Sequence, residues 1–123
     1  MMEAKTILTV DDSRTMRDML LMTLTEAGYQ VTQAEDGVEG LARLRDGSPD
    51  AIITDINMPR LDGFGFIEQV RGDPARRGVP ILVLTTESEP ELKDRARRAG
   101  ATGWIVKPYN PAKLLDALRR VGA

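Results

Sequence analysis

At 123 residues the chain has the size of one domain, and its 41% apolar and 29% charged residues suit a buried centre under a solvated surface, which argues against both disorder and membrane residence. Its 17 basic and 19 acidic residues leave a net charge of −2, without the basic excess that nucleic-acid phosphates demand. The chain has no Cys and no His, so disulfides, thiolate nucleophiles, imidazole bases and imidazole metal ligands are excluded. Any chemistry must run on carboxylates, Lys, hydroxyls and backbone.

In chain order, short apolar runs alternate with longer segments of helical period, the pattern of βαβ units. No apolar signal segment precedes the first run and no 18-residue apolar stretch occurs, so a cytoplasmic protein is expected. The first strand is read at Thr6–Val10, followed by a helix that begins at Ser13 and ends at Gly28. In that helix Met16, Met19, Leu20, Thr23, Leu24 and Ala27 share one face, expected to pack on the sheet, while Arg14, Arg17, Asp18 and Glu26 lie elsewhere. Gln30–Ala34 alternates polar and apolar residues as an edge strand does, and a helix runs from Asp36 to Gly47. Ala51–Thr54 and Ile81–Thr85 are almost continuously apolar or β-branched and suit central strands covered on both faces.

Helices are expected from Asp62-Gly63 to Gly72 and from Ser88 to Gly100. Near the start of the latter, Glu87, Glu89, Glu91 and Asp94 complement the helix dipole. Gly103–Val106 is the fifth strand, and Asn110-Pro111 opens the last helix. Nothing interrupts the alternation, so residues 1–123 are expected to form a single domain, a doubly wound α/β sandwich on a five-stranded parallel sheet. The segment Gly63-Phe-Gly65 lacks the third Gly of a dinucleotide loop and follows the wrong strand for one.

In such sheets ligands bind outside the carboxyl ends of the strands. The first strand ends at Asp11-Asp12, the third at Asp55, the fourth at Thr85-Thr86 and the fifth at Lys107-Pro108. Converging carboxylates repel one another unless a cation offsets them, and an all-oxygen donor set suits Mg²⁺. Lys107 adds a positive charge and Thr85 a hydroxyl donor, a combination suited to phosphoryl transfer. Taken singly, each motif has a plainer reading. Asp11-Asp12-Ser13 suits a helix N-cap, Asp55 a solvated strand end, Asn57-Met-Pro a turn, and Trp104 a core residue.

Together, Asp11-Asp12, Asp55-Ile-Asn57-Met58-Pro59 with Asp62-Gly63, Thr85-Thr86-Glu87 and Lys107-Pro108 resemble the motif set of response-regulator receiver domains of the CheY type, over essentially the whole chain. The resemblance implies a flavodoxin-like sheet of strand order 2-1-3-4-5 and a switch phosphorylated on Asp55. It makes Asp11, Asp12, Asp55 and the carbonyl of Asn57 the Mg²⁺ site, Lys107 the partner of Asp55 or its phosphoryl group, and Thr85 with the Thr86 backbone the phosphoryl-oxygen donors.

By the same resemblance Asn57 and Glu87 tune dephosphorylation, Trp104 and Thr85 are switch residues, and Lys107-Pro108 is a cis peptide. Trp104 departs from the Tyr or Phe usual at its position, and Thr86 is bulkier than the usual Ala or Gly. The implied partners are a histidine kinase as phosphodonor, a protein target such as the flagellar motor switch, and a phosphatase. A monomer is expected, with no nucleic-acid or membrane partner. With no DNA-binding output segment after the fifth helix, output is expected to go through protein contact, and a single-domain phosphate sink or phosphorelay carrier is the alternative role. An aspartyl-phosphate phosphatase of the haloacid-dehalogenase type fits poorly. Asn57 stands where its second Asp is needed, the site follows the third strand, and there is no cap domain.

Overall fold

The computed structural model describes residues 4–123, so the first three residues of the expected domain lie outside the described residues. Five strands, β1 (Thr6–Val10), β2 (Gln30–Ala34), β3 (Ala51–Thr54), β4 (Ile81–Thr85) and β5 (Gly103–Val106), alternate with α1 (Arg14–Glu26), α2 (Gly37–Asp46), α3 (Gly63–Gly72), α4 (Pro90–Ala99) and α5 (Pro111–Arg120). A short 3₁₀ turn, Pro74–Arg76, separates α3 from β4. The sheet has the order β2-β1-β3-β4-β5, and every strand pair is parallel. The order reverses between β1 and β3, so the carboxyl ends of these two strands flank the crevice where such sheets bind ligands.

Alternation along the strands divides the core between the two faces. Leu8, Val10, Ile52, Ile81 and Val83 meet Leu44 of α2, Phe66, Ile67 and Val70 of α3, and Ala96 of α4. Ile7, Ala51, Ile53, Leu82 and Leu84 meet Leu20 and Leu24 of α1 and Leu114 and Leu118 of α5. Burying each of these larger side chains contributes about 1.5–3 kcal/mol. β1, β3 and β4 are buried almost throughout because helices cover both their faces, whereas the edge strand β2 has only Ala34 fully buried.

Caps set the helix starts. Ser13, Asp36, Asp62 and Asn110 accept backbone N–H groups of Met16, Glu39, Gly65 and Lys113. The fourth helix corrects the expected start at Ser88: it begins at Pro90, whose fixed φ suits a first helical position, and Glu89 makes no side-chain cap bond. Gly28 and Gly100 have positive φ past their helix ends, while Gly47 is extended and Gly72 is the last residue of α3.

The apolar face of α1 is narrower than expected, since Leu20 and Leu24 are buried but Met19 is 46% exposed and Ala27 is exposed. Arg17 lies off that face, yet only 12% of its side chain is exposed, because its guanidinium donates to the Asp11 carbonyl. Among the described residues no helix is long and apolar enough to cross a membrane.

Candidate functional site

Asp11 and Asp12 continue from β1, and Asp55 continues from β3, so adjacent parallel strands deliver three carboxylates to one end of the sheet. One oxygen of each lies within 4.8 Å of the others. Asp11 and Asp55 are buried, and Asp12 is exposed at the rim. Asp55 Oδ1 accepts the Ile56 N–H at 2.6 Å, and Asp11 Oδ1 accepts the Ser13 N–H at 2.9 Å.

Lys107 follows β5 and crosses to this cluster. Its Nζ donates to Asp11 Oδ2 and to Asp55 Oδ2, both at 2.9 Å. The Lys107–Pro108 peptide is cis, as the family resemblance implies. Burial disfavours the Lys107 charge, but hydrogen bonds and attraction from Asp11 and Asp55 outweigh it and hold its pKa above the ordinary value. Burial pushes the Asp11 carboxyl up, and the Lys107 and Ser13 hydrogen bonds offset this only in part. The ammonium therefore balances about one of the three negative charges, and the remainder favours a cation. A donor set of carboxylate oxygens without sulfur or imidazole fits Mg²⁺.

The other expected residues surround this centre at different depths. Thr85 is fully buried at the end of β4, and its Oγ1 accepts a long 3.3 Å bond from the Glu87 N–H. Thr86 is exposed. Asn57 is exposed and donates its side-chain amide to Glu87 Oε1 at 3.2 Å, so the two residues expected to tune dephosphorylation touch. Trp104 pairs with Val83 in the sheet and is half-buried, with its indole N–H donating to the Glu87 carbonyl at 3.1 Å. It also lines a cleft of about 510 Å³ against α4, whose walls include none of the clustered carboxylates.

Arg60 escaped the sequence reading, as did the bond from Arg17 to the Asp11 carbonyl. Arg60 grips the buried Asp36 with two bonds, of 2.7 and 3.1 Å, and holds that carboxyl below its usual range. A capping Asp was legible at position 36, but its long-range partner was not. The close packing of Gly63 was also unread: a Cβ there would overlap the Asp55 carbonyl and lie 2.7 Å from Ile56 Cα.

Comparison with known proteins agrees with this geometry. Residues 7–119 match the response regulator receiver domain family. The chain is 40% identical over 118 residues to chemotaxis protein CheY1 of Helicobacter pylori, covering 94% of each chain. It is 37% identical over 116 residues to chemotaxis protein CheY-3 of Vibrio cholerae, covering 94% of this chain and 89% of the relative. The structure of chemotaxis protein CheY4 of Vibrio cholerae superposes with a TM-score of 0.93 at 47% identity, covering 97% of this chain and 99% of that one. The receiver domain of sensor histidine kinase PA1611 of Pseudomonas aeruginosa, solved with magnesium coordinated in its active site cleft, superposes with a TM-score of 0.90 at 29% identity, covering 98% and 100% of the two chains.

Proposed function

The chain belongs to the response regulator receiver domain family, and we propose that it is a signalling switch in which Asp55 accepts a phosphoryl group from the phosphohistidine of a histidine kinase. The observation that carries this reading is the joint contact of Lys107 with Asp11 and Asp55, beside the exposed Asp12. An Asp55 oxygen forms the new bond to phosphorus as the donor's P–N bond breaks, and the imidazole leaves with the electron pair. The acceptor carboxylate needs no general base of the protein, which suits a chain without His.

Asp11, Asp12, Asp55 and the Asn57 carbonyl are the residues that would hold Mg²⁺, which when bound supplies charge neutralisation on the phosphoryl oxygens. Lys107 pairs with the transferred group, and Thr85 and the Thr86 N–H donate to its oxygens. Asn57 and Glu87 flank the approach of water and so set the lifetime of the acyl phosphate. The phosphorylated form binds a protein target, and the likeness to chemotaxis proteins supports a role in chemotaxis with the flagellar motor switch as target. The likeness to receiver domains of sensor kinases supports a second reading, a carrier or sink in a phosphorelay. On either reading the protein works as a cytoplasmic monomer, and a phosphatase partner shortens its signal.

Incubation with radiolabelled acetyl phosphate and Mg²⁺ tests the acceptor. The wild type should take up label and Asp55→Asn should take up none, whereas retained labelling would place the acceptor elsewhere. A pull-down of the motor switch protein with phosphorylated and unphosphorylated chain separates the two roles.

A further inference from the structure

The segment 34–37, from the last residue of β2 to the first of α2, is bonded to both loops that carry the clustered acids. Towards β1, the Asp11 N–H donates to the Ala34 carbonyl at 3.1 Å. Arg17 donates to the Asp11 carbonyl at 2.7 Å, and its other nitrogen lies 3.7 Å from Glu35 Oε1. Towards β3, Arg60 forks onto Asp36, whose side chain is only 7% exposed, and the Gly37 N–H donates to the Leu61 carbonyl at 3.2 Å. A Cβ on Gly37 would lie 2.6 Å from that same oxygen, so the two segments touch backbone to backbone.

Asp36 already caps α2 through the Glu39 N–H, a task that needs no cation. Arg60 is the one non-Gly residue among those described with positive φ, at 65°. Such a conformation is unfavourable away from Gly and persists only where surrounding contacts hold it. Here the contact is a planar fork on a buried carboxylate, the geometry in which Arg gives orientation as well as charge.

We propose that the Asp36–Arg60 pair, with Arg17 on the opposite side, is a brace that sets the separation of the β1–α1 and β3–α3 loops and thereby preorganises the cation site. This rests on the reading of Asp11, Asp12, Asp55 and Asn57 as Mg²⁺ ligands. Asp36, Arg60 and Arg17 are positioning residues that act through the loops. Without the brace the loops carrying the repelling acids would be freer to move apart when no cation is bound, and each binding event would then have to restore their order. Residues supporting metal ligands commonly change affinity by about 10–100-fold.

The sign of the effect separates a brace from a simple electric field. Removing the Arg60 charge beside an acidic centre should tighten Mg²⁺ binding through space, and removing the Asp36 charge should weaken it, the two effects adding in the double variant. A brace instead weakens binding in both Arg60→Asn and Asp36→Asn, by about 5-fold or more each, with the double variant no worse than either single. Asn suits both positions, since it tolerates positive φ at 60 and keeps a capping oxygen at 36.

Mg²⁺ affinity is measured by calorimetry on the full chain. Amide exchange is followed in metal-free protein, where the brace predicts Gly37 exchange at least about 5-fold faster in either single variant and unchanged exchange in β4. Tighter Mg²⁺ binding by Arg60→Asn, additive effects in the double variant, or unchanged Gly37 exchange would overturn the proposal. Absence of Mg²⁺ binding by the wild type would instead overturn the assignment of the ligands, and the exchange experiment would still decide whether the brace exists.

Discussion

The Nζ of Lys107 stands 2.9 Å from Oδ2 of Asp55, although the residues are 52 positions apart in sequence. Only 11% of the Lys107 side chain and 10% of the Asp55 side chain are exposed, so this is a sheltered ion pair. Lys107→Met keeps much of the apolar stem and strands two buried carboxylates. Stability of the metal-free protein should fall by about 3 kcal/mol, the low end for breaking a buried pair. Mg²⁺ should restore more stability to the variant than it adds to the wild type, as urea unfolding with and without the cation will show.

The same pair predicts an alkaline limb. The folded state holds the Lys107 pKa above its ordinary 10.5, so the folded protein binds the proton more tightly than the unfolded chain. The stability this contributes is fully present below pH 10.5 and is lost as pH rises through the folded-state value. The difference in unfolding free energy between wild type and Lys107→Met should therefore be flat from neutral pH up to about 10.5 and shrink beyond it. A difference that grows with alkalinity would contradict the pairing.

Asp12 is exposed, unlike its neighbour Asp11, so replacing it removes a ligand without opening the core. Asp12→Ala should weaken Mg²⁺ binding about 10-fold or more and slow phosphorylation, with melting of the metal-free protein unchanged or raised because repulsion is relieved. An unaltered Mg²⁺ titration would remove Asp12 from the ligand set.

Gly63 packs directly beneath Asp55. The atoms a Cβ would meet there belong to the backbone of Asp55 and Ile56 and to the Ile56 side chain. Gly63→Ala should cost about 2 kcal/mol through overpacking and weaken Mg²⁺ binding by displacing Asp55. Gly72→Ala, in the same helix with nothing within 4 Å of its Cβ, is the control, and thermal melts of the two variants should separate them.

Trp104 reports on the loop after β4, because its indole N–H is bonded to the Glu87 carbonyl while the Glu87 N–H is bonded to Thr85 Oγ1. If Thr85 turns towards a phosphoryl group on Asp55, the long bond to Glu87 should break and the indole should change its surroundings. Beryllofluoride with Mg²⁺ should then alter Trp104 emission relative to Mg²⁺ alone, and Thr85→Ala should reduce the change without preventing analogue binding. The phosphoryl group shifts the equilibrium only by its preference for the engaged arrangement, so target binding should favour the same state. An unmoved spectrum with the analogue bound would leave Trp104 as packing.

The strands were legible to the residue, because runs such as Ile81–Thr85 are apolar or β-branched over a length too short for a helix. The caps at Ser13, Asp36, Asp62 and Asn110 were legible because each bonds an N–H only three residues away. The start of α4 was misread at Ser88 because Ser and Pro both signal a helix start, and here the Pro prevailed. Helical period placed Arg17 off the apolar face of α1 but does not show that a neighbouring carbonyl will fold its side chain inward.

The sequence by itself therefore determined the alternation of strands and helices, the strand ends, and the acids, lysine and hydroxyl residues left there. These properties arise from interactions within a few residues along the chain. That β1 and β3 lie side by side and that Lys107 pairs with Asp55 was expected only through the family resemblance, and the tertiary structure alone decided that Lys107 also reaches Asp11 and that Arg60 selects Asp36 among 19 acidic residues. Parallel pairing and the choice of an ion-pair partner depend on which distant segments pack together, and that is set by burial of the whole sheet between its two helical layers.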